Sequence, residues 1–181
     1  MESTRYQAAE AAGNEHLVST KALDTTVVSF TLFFRENYSH LVRCLALSGA
    51  NDNQEDLAQD AFAVVLTHWN TAMASPSPAG YLYRCAFRIL AKDFRKRKLR
   101  DPKLIEFDSI VNANVGFEEI FCELDELEAI VAKLPPRARA VVTARFYVGM
   151  NTDEIADALS ITQSTVRKHI SNARAIMRQA N

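Results

Sequence analysis

With 181 residues, 48% of them hydrophobic, and a formal charge of -1, the chain has apolar content for one ordinary domain or two small ones. No apolar run reaches the length of a membrane span, and the first residues lack the basic start and apolar core of a signal peptide, so a cytoplasmic protein with no membrane contact is expected. The near-neutral balance excludes a uniformly basic nucleic-acid binder, but the charge is blocked. From Arg88 to Arg100 there are seven Lys or Arg and one acid, Asp93, whereas from Asp101 to Glu128 there are nine acids and one base, Lys103. Such blocks cancel in the total and still create separate local fields.

Only five Gly and five Pro punctuate the chain, and Ala and Leu are plentiful, so the expected fold is all-α. Residues 1–26 are rich in Ala, Glu, Ser and Thr and read as a mobile or weakly helical extension. Phe30, Phe33, Phe34, Tyr38, Leu41, Val42 and Leu45 then recur at helical spacing. After a break from Gly49 to Asn53, the residues Leu57, Ala61, Phe62, Val65, Leu66 and Trp69 outline a second helix, with acids in its first turns where the helix dipole favours them. Asn70 to Gly80 contains Pro76, Pro78 and Gly80 and is expected to be a loop. A third helix follows with Leu82, Cys85, Ala86, Ile89, Leu90 and Phe94 inward, closing a first domain over residues 27–99. Periodicity fades over residues 100–122, an acidic linker, and returns in a second domain over 123–181, with stops at Pro135-Pro136 and near Gly149.

The end of the chain carries the most specific pattern. Thr152 to Leu159 forms a short helix with Thr152 as the expected N-cap and Ile155, Ala156 and Leu159 on its core face. Ser160-Ile161-Thr162 makes a turn, and a further helix begins near Gln163 or Ser164, burying Val166, Ile170 and Ala173. Its outer face carries Arg167, Lys168, His169, Ser171, Asn172, Arg174 and Arg178, bases and amides without an acid. A major groove about 12 Å wide admits such a helix, where amides and guanidinium groups reach base edges and Lys and Arg neutralise phosphates. A helix-turn-helix that binds duplex DNA is therefore expected; the bland reading is a helical hairpin with a solvated basic face.

Three further stretches carry a family resemblance. Asn53 to Phe62 resembles the acidic second-helix motif of bacterial sigma factors of the extracytoplasmic-function group; Tyr81-Leu82-Tyr83-Arg84-Cys85-Ala86 resembles their Trp-Leu-Tyr-Arg-Ile-Ala signature; and Leu134 to Val142, with Glu154-Ile155-Ala156 and Thr165-Val166-Arg167, resembles their C-terminal domain. The resemblance runs from about Phe30 to Met177 in the family's order. The chain departs from it at Phe87-Arg88, where the family has Arg-Asn, and at Ser160, where it has Gly.

The resemblance implies an alternative sigma factor that binds core RNA polymerase and promoter DNA, both as duplex and as melted non-template strand. It implies contacts to the upstream, minus-35 element from Arg167, Lys168, Ser171 and Asn172, with Arg174 and Arg137 on phosphates. It implies contacts to the downstream, minus-10 element from Tyr81, Tyr83, Phe87, Arg84, Arg88, Lys92, Arg95 and Lys96, aromatic and basic groups suited to a single strand. For Tyr83 and Phe87 core packing is the alternative. Glu55, Asp56, Gln59 and Asp60 would dock on polymerase, or form a solvated acidic face, and an anti-sigma factor is a further partner open to such a protein. No cofactor or metal is expected, because Cys44, Cys85 and Cys122 lie far apart and the four His fall in unrelated segments. The rival readings are a DNA-binding regulator that never joins polymerase, such as a LuxR-type protein, and an enzyme, for which no catalytic grouping is present.

Overall fold

A computed structural model describes residues 26–50, 53–100 and 131–180, and no strand occurs among them. The N-terminal extension, the acidic linker and most of the helix expected before Pro135 lie outside the described residues. The chain divides into two compact units, Met1–Asn37 and Tyr38–Asn181. In the first, the described residues 26–37 are helical, with the Phe30 and Phe34 rings 6.5 Å apart on that helix and Val27, Val28 and Leu32 exposed. This helix, α1, runs over 26–47.

In the second unit, the end of α1 contributes Leu41, Cys44 and Leu45, all fully buried. Burial pushes the Cys44 thiol up to about 12, so it stays neutral at physiological pH and lacks the thiolate that reacts. Helix α2, Gln54–Thr67, places Glu55 and Asp56 in its first turn and buries Leu57, Ala58, Ala61, Phe62 and Val65. Leu66 is 47% exposed, not inward as expected: one residue turns a helix by about 100°, so Val65 takes the core position and Leu66 falls outside it.

The expected loop after α2 is largely helical. A short helix α3, Trp69–Met73, buries Trp69 and Ala72, and α4, Pro78–Arg100, begins before Gly80. Proline suits the first helical position, where its missing N–H has no partner to lose, and the Ser77 hydroxyl accepts from the Gly80 N–H at 3.0 Å. Pro78 therefore starts a helix here and does not prolong the loop. The 23 residues of α4 bury Leu82, Cys85, Ala86, Phe87, Leu90 and Ala91. Near its C-terminal end Arg97 pairs with Asp93, lies 5.0 Å from the centre of the Phe94 ring and donates to the Gly49 carbonyl at 3.3 Å. Gly49 has φ +86, the left-handed conformation that closes α1, and a side chain there would meet Pro136 at 3.3 Å.

Helix α5, Pro136–Phe146, ends in a turn at Gly149, φ +81, and is followed by α6, Thr152–Leu159, and α7, Gln163–Ala180. Their core gathers Val131, Leu134, Ala138, Val142 and Ala173, with Leu47 from α1 packed against it. Helix α4 packs on α2 and, on another side, on α6.

Candidate nucleic-acid interface

Local chemistry builds the helix-turn-helix. The Asn151 side chain accepts from the Asp153 and Glu154 N–H groups at 2.9 Å, and the Glu154 carboxylate accepts from the Asn151 N–H at 2.9 Å. This capping box makes Asn151 the N-cap and Thr152 the first helical residue, so the helix starts one position earlier than the sequence pattern predicts. Asparagine wins because its amide oxygen satisfies two orphan donors at once. Helix α6 ends on Ser160 at φ 54, ψ 49, with the Ser160 N–H bonded to the Asp157 carbonyl at 3.3 Å and the Ile161 N–H to the Ala156 carbonyl at 3.0 Å. These two bonds are the Schellman closure, in which the left-handed residue is usually glycine; a residue with a Cβ there costs about 1 kcal/mol.

The Thr162 hydroxyl then accepts from the Thr165 N–H at 3.2 Å and caps α7. Val166, Ile170 and Ala173 are buried, and Arg167 and Lys168 are exposed on the outer face; Arg167 donates to Gln163 of its own helix at 3.0 Å. Ser171, Asn172 and Arg174 are half-buried farther along α7. Arg137, on α5, is half-buried and lines a cleft shared with His169.

A second basic surface lies on α4. Arg88, Lys92, Arg95 and Lys96 are exposed, and Tyr81, Tyr83 and Arg84 are half-buried. The Tyr83 phenol is raised above its ordinary range, by burial first and by its neighbours Cys44 and Tyr147 second. On the other side of the molecule's polarity, Glu55, Asp56, Gln59 and Asp60 are all exposed on α2, one acidic face opposite the buried stripe.

Residues 124–177 match the family described as Sigma-70, region 4. Over 165 residues, covering 88% of this chain and 92% of the other, the chain is 25% identical to a protein named RNA polymerase sigma factor SigV from Bacillus subtilis (strain 168). Both matches support an RNA polymerase sigma factor of the extracytoplasmic-function type. They support an activity in promoter recognition and the initiation of transcription.

The structure brings together five of the six residues predicted for the upstream element on α7, with Arg137 on α5 beside the cleft. Among those predicted for the downstream element, Phe87 needs correction. Its ring is 1% exposed and belongs to the core, so it has no face for a base. The apolar stripe Leu82, Cys85, Ala86 and Leu90 includes its position, and the packing of α4 takes the ring inward. Sequence reasoning missed Glu154 and Asp157, whose carboxylates bond to Arg84 and Arg88 of α4. The available signal was their spacing: three apart on a short helix, they share its outward side. No group of three or more His, Cys, Asp or Glu among the described residues could hold a metal ion, and no helix among them is long and apolar enough to cross a membrane.

Proposed function

We propose that this sigma factor binds core RNA polymerase through the acidic face of α2, reads the upstream element as duplex with α7, and holds the melted non-template strand of the downstream element on α4. The domains would then run over 27–99 and 123–181, with the acidic segment 100–122 between them. The observation that carries this reading is α7: a helix held by a left-handed turn, with Arg167 and Lys168 exposed near its start and no acidic residue in its sequence. The first turns of a recognition helix reach base edges, so donors belong there. Arg174 and Arg137 fit phosphates, which fix register without reading sequence.

On α4, Arg84, Arg88, Lys92, Arg95 and Lys96 supply charge for a single strand, and Tyr81 and Tyr83 supply aromatic surface. The acidic face of α2 suits a basic helical partner and would repel nucleic acid, which separates polymerase docking from DNA contact. A regulator that binds DNA without polymerase has no use for such a face.

The test is assembly with core polymerase followed by run-off transcription on promoter DNA. The wild-type chain is expected to assemble and to yield a promoter-specific transcript. Asp56→Lys with Asp60→Lys is expected to lower assembly at least tenfold, because an attractive face becomes repulsive. Normal assembly by that double variant would remove α2 from the docking surface, and tight specific binding of duplex by the free wild-type chain, without a transcript, would return the reading to a regulator.

A further inference from the structure

We propose that the cleft bordered by α4, α5 and the turn between α6 and α7 is a binding site for a small carboxylate with an aromatic or branched apolar body, and that this ligand competes with promoter DNA. The competition rests on the DNA-binding reading of Arg95 and Arg137 above; the binding site itself does not.

The hollow has its origin in small side chains. Ala91 of α4 and Ala140 of α5 line it, both buried, at positions where a larger residue would fill the space. Phe94, Leu159 and Ile161 make its apolar walls. The cleft has a volume of about 110 Å³. An apolar cavity of about 150 Å³ takes benzene, whereas sites for drug-sized ligands begin near 300 Å³. A single ring or a branched alkyl group with one compact polar head fits these dimensions, and a nucleotide does not.

The polar groups around that floor set the charge of the head. Arg95 comes from α4, Arg137 from α5 and His169 from α7, and none of the described residues lining the cleft is Asp or Glu. The Arg95 Nε donates to the Ala91 carbonyl of its own helix at 3.1 Å, so the terminal amino groups of the guanidinium are the donors a carboxylate would take up. The His169 imidazole offers a donor in either tautomer. Inorganic phosphate would meet the cations but leave the Phe94 and Leu159 walls wet, and a neutral ring would meet the walls but leave the cations without a counter-charge. An apolar body carrying a carboxylate meets both.

Ser160 supplies an independent pointer to the same place. Among the described residues it has the only positive φ outside glycine, and it lines this cleft. Glycine adopts that conformation without strain; serine keeps a hydroxyl there at a conformational cost. A hydroxyl at the edge of the cleft is a further donor to a carboxylate, and the strained position is where such a ligand would meet it.

The consequence for DNA follows from the two arginines. Arg137 is assigned to phosphates of the upstream element and Arg95 to the melted strand, and a guanidinium edge engaged by a carboxylate is not available to a phosphate. Occupancy of the cleft therefore lowers initiation.

The experiment titrates the full chain by calorimetry at constant ionic strength with benzoate and cyclohexanecarboxylate, against benzamide, acetate and inorganic phosphate. One benzoate per chain is expected, with a dissociation constant on the order of 0.1 mM, as a ligand of about nine non-hydrogen atoms allows. The three comparison compounds should bind at least tenfold more weakly. Arg95→Gln, Arg137→Gln and Ser160→Gly should each weaken benzoate binding about tenfold, the worth of one hydrogen bond to a charged group. Lys92→Gln, exposed on α4 and outside the cleft, should leave it unchanged, and circular dichroism checks the fold of all four. In run-off transcription, benzoate should lower the wild-type transcript several-fold and benzamide should not; Ser160→Gly should start from the wild-type level and need about tenfold more benzoate for the same loss, matching its weaker binding. No saturable binding of either carboxylate would overturn the site, as would phosphate binding as tightly as benzoate, or Lys92→Gln weakening benzoate as much as Arg95→Gln. Saturable binding with an unchanged transcript would overturn the competition. Absence of any transcript from the wild-type chain without ligand would count against the sigma-factor reading and leave the calorimetry to judge the cleft.

Discussion

Helices α4 and α7 are both long, both amphipathic and both basic on their outer faces, yet they are presented differently. On α7, Arg167 and Lys168 are exposed, and Arg167 donates to Gln163 of its own helix. On α4, Arg84 and Arg88 are already engaged by carboxylates of α6, and Arg95 lines the cleft beside them. Charge sign and helical periodicity are the same in the two helices, so what distinguishes them is the neighbour that tertiary packing supplies.

Three substitutions sharpen or break this comparison. The largest effect is expected from Phe87→Ala, which empties a fully buried ring position in α4 and should cost about 3 to 5 kcal/mol of stability by urea unfolding. If the variant keeps wild-type stability and loses only single-strand binding, the ring is a base contact and α4 has no dedicated core face at that position. Next comes Arg167→Ala on α7, expected to reduce discrimination for the upstream element by about 1 to 3 kcal/mol while leaving the unfolding midpoint and polymerase assembly unchanged. A variant that discriminates as well as wild type would show that an exposed basic face is not by itself a reading face. The smallest effect belongs to Ser160→Gly in the turn between α6 and α7. It relieves a left-handed serine but loosens the unfolded chain, so the net gain should be within about 1 kcal/mol, seen as an unchanged or slightly higher melting temperature. A clear loss of stability would mean that the serine side chain, and not the backbone conformation, holds the turn.

Much of this protein was legible before any coordinates. Helical class, the buried stripe of α2 at Leu57, Ala61, Phe62 and Val65, and the inward Val166, Ile170 and Ala173 of α7 follow from the period of apolar residues, because a helix must turn one face to the core. The exposed acids of α2 and bases of α7 follow from the same rule read on the opposite face. Capping was legible only to within a residue: Asn151 and Thr152 are both good caps, and the Glu154 carboxylate returning to the Asn151 N–H decides between them. The loop expected over 70–80 became α3 and the start of α4, since burial of Trp69 and Ala72 outweighs local turn propensity and proline is at home in a first helical turn. Phe87 shows the limit of periodicity, which marks a boundary position without saying on which side of it the ring will fall. The pairing of Arg84 with Glu154 and of Arg88 with Asp157 joins residues about 70 positions apart. No local pattern carries that information, because a surface charge is compatible with solvent, nucleic acid or an opposing carboxylate, and only the packing of α6 on α4 selects among them.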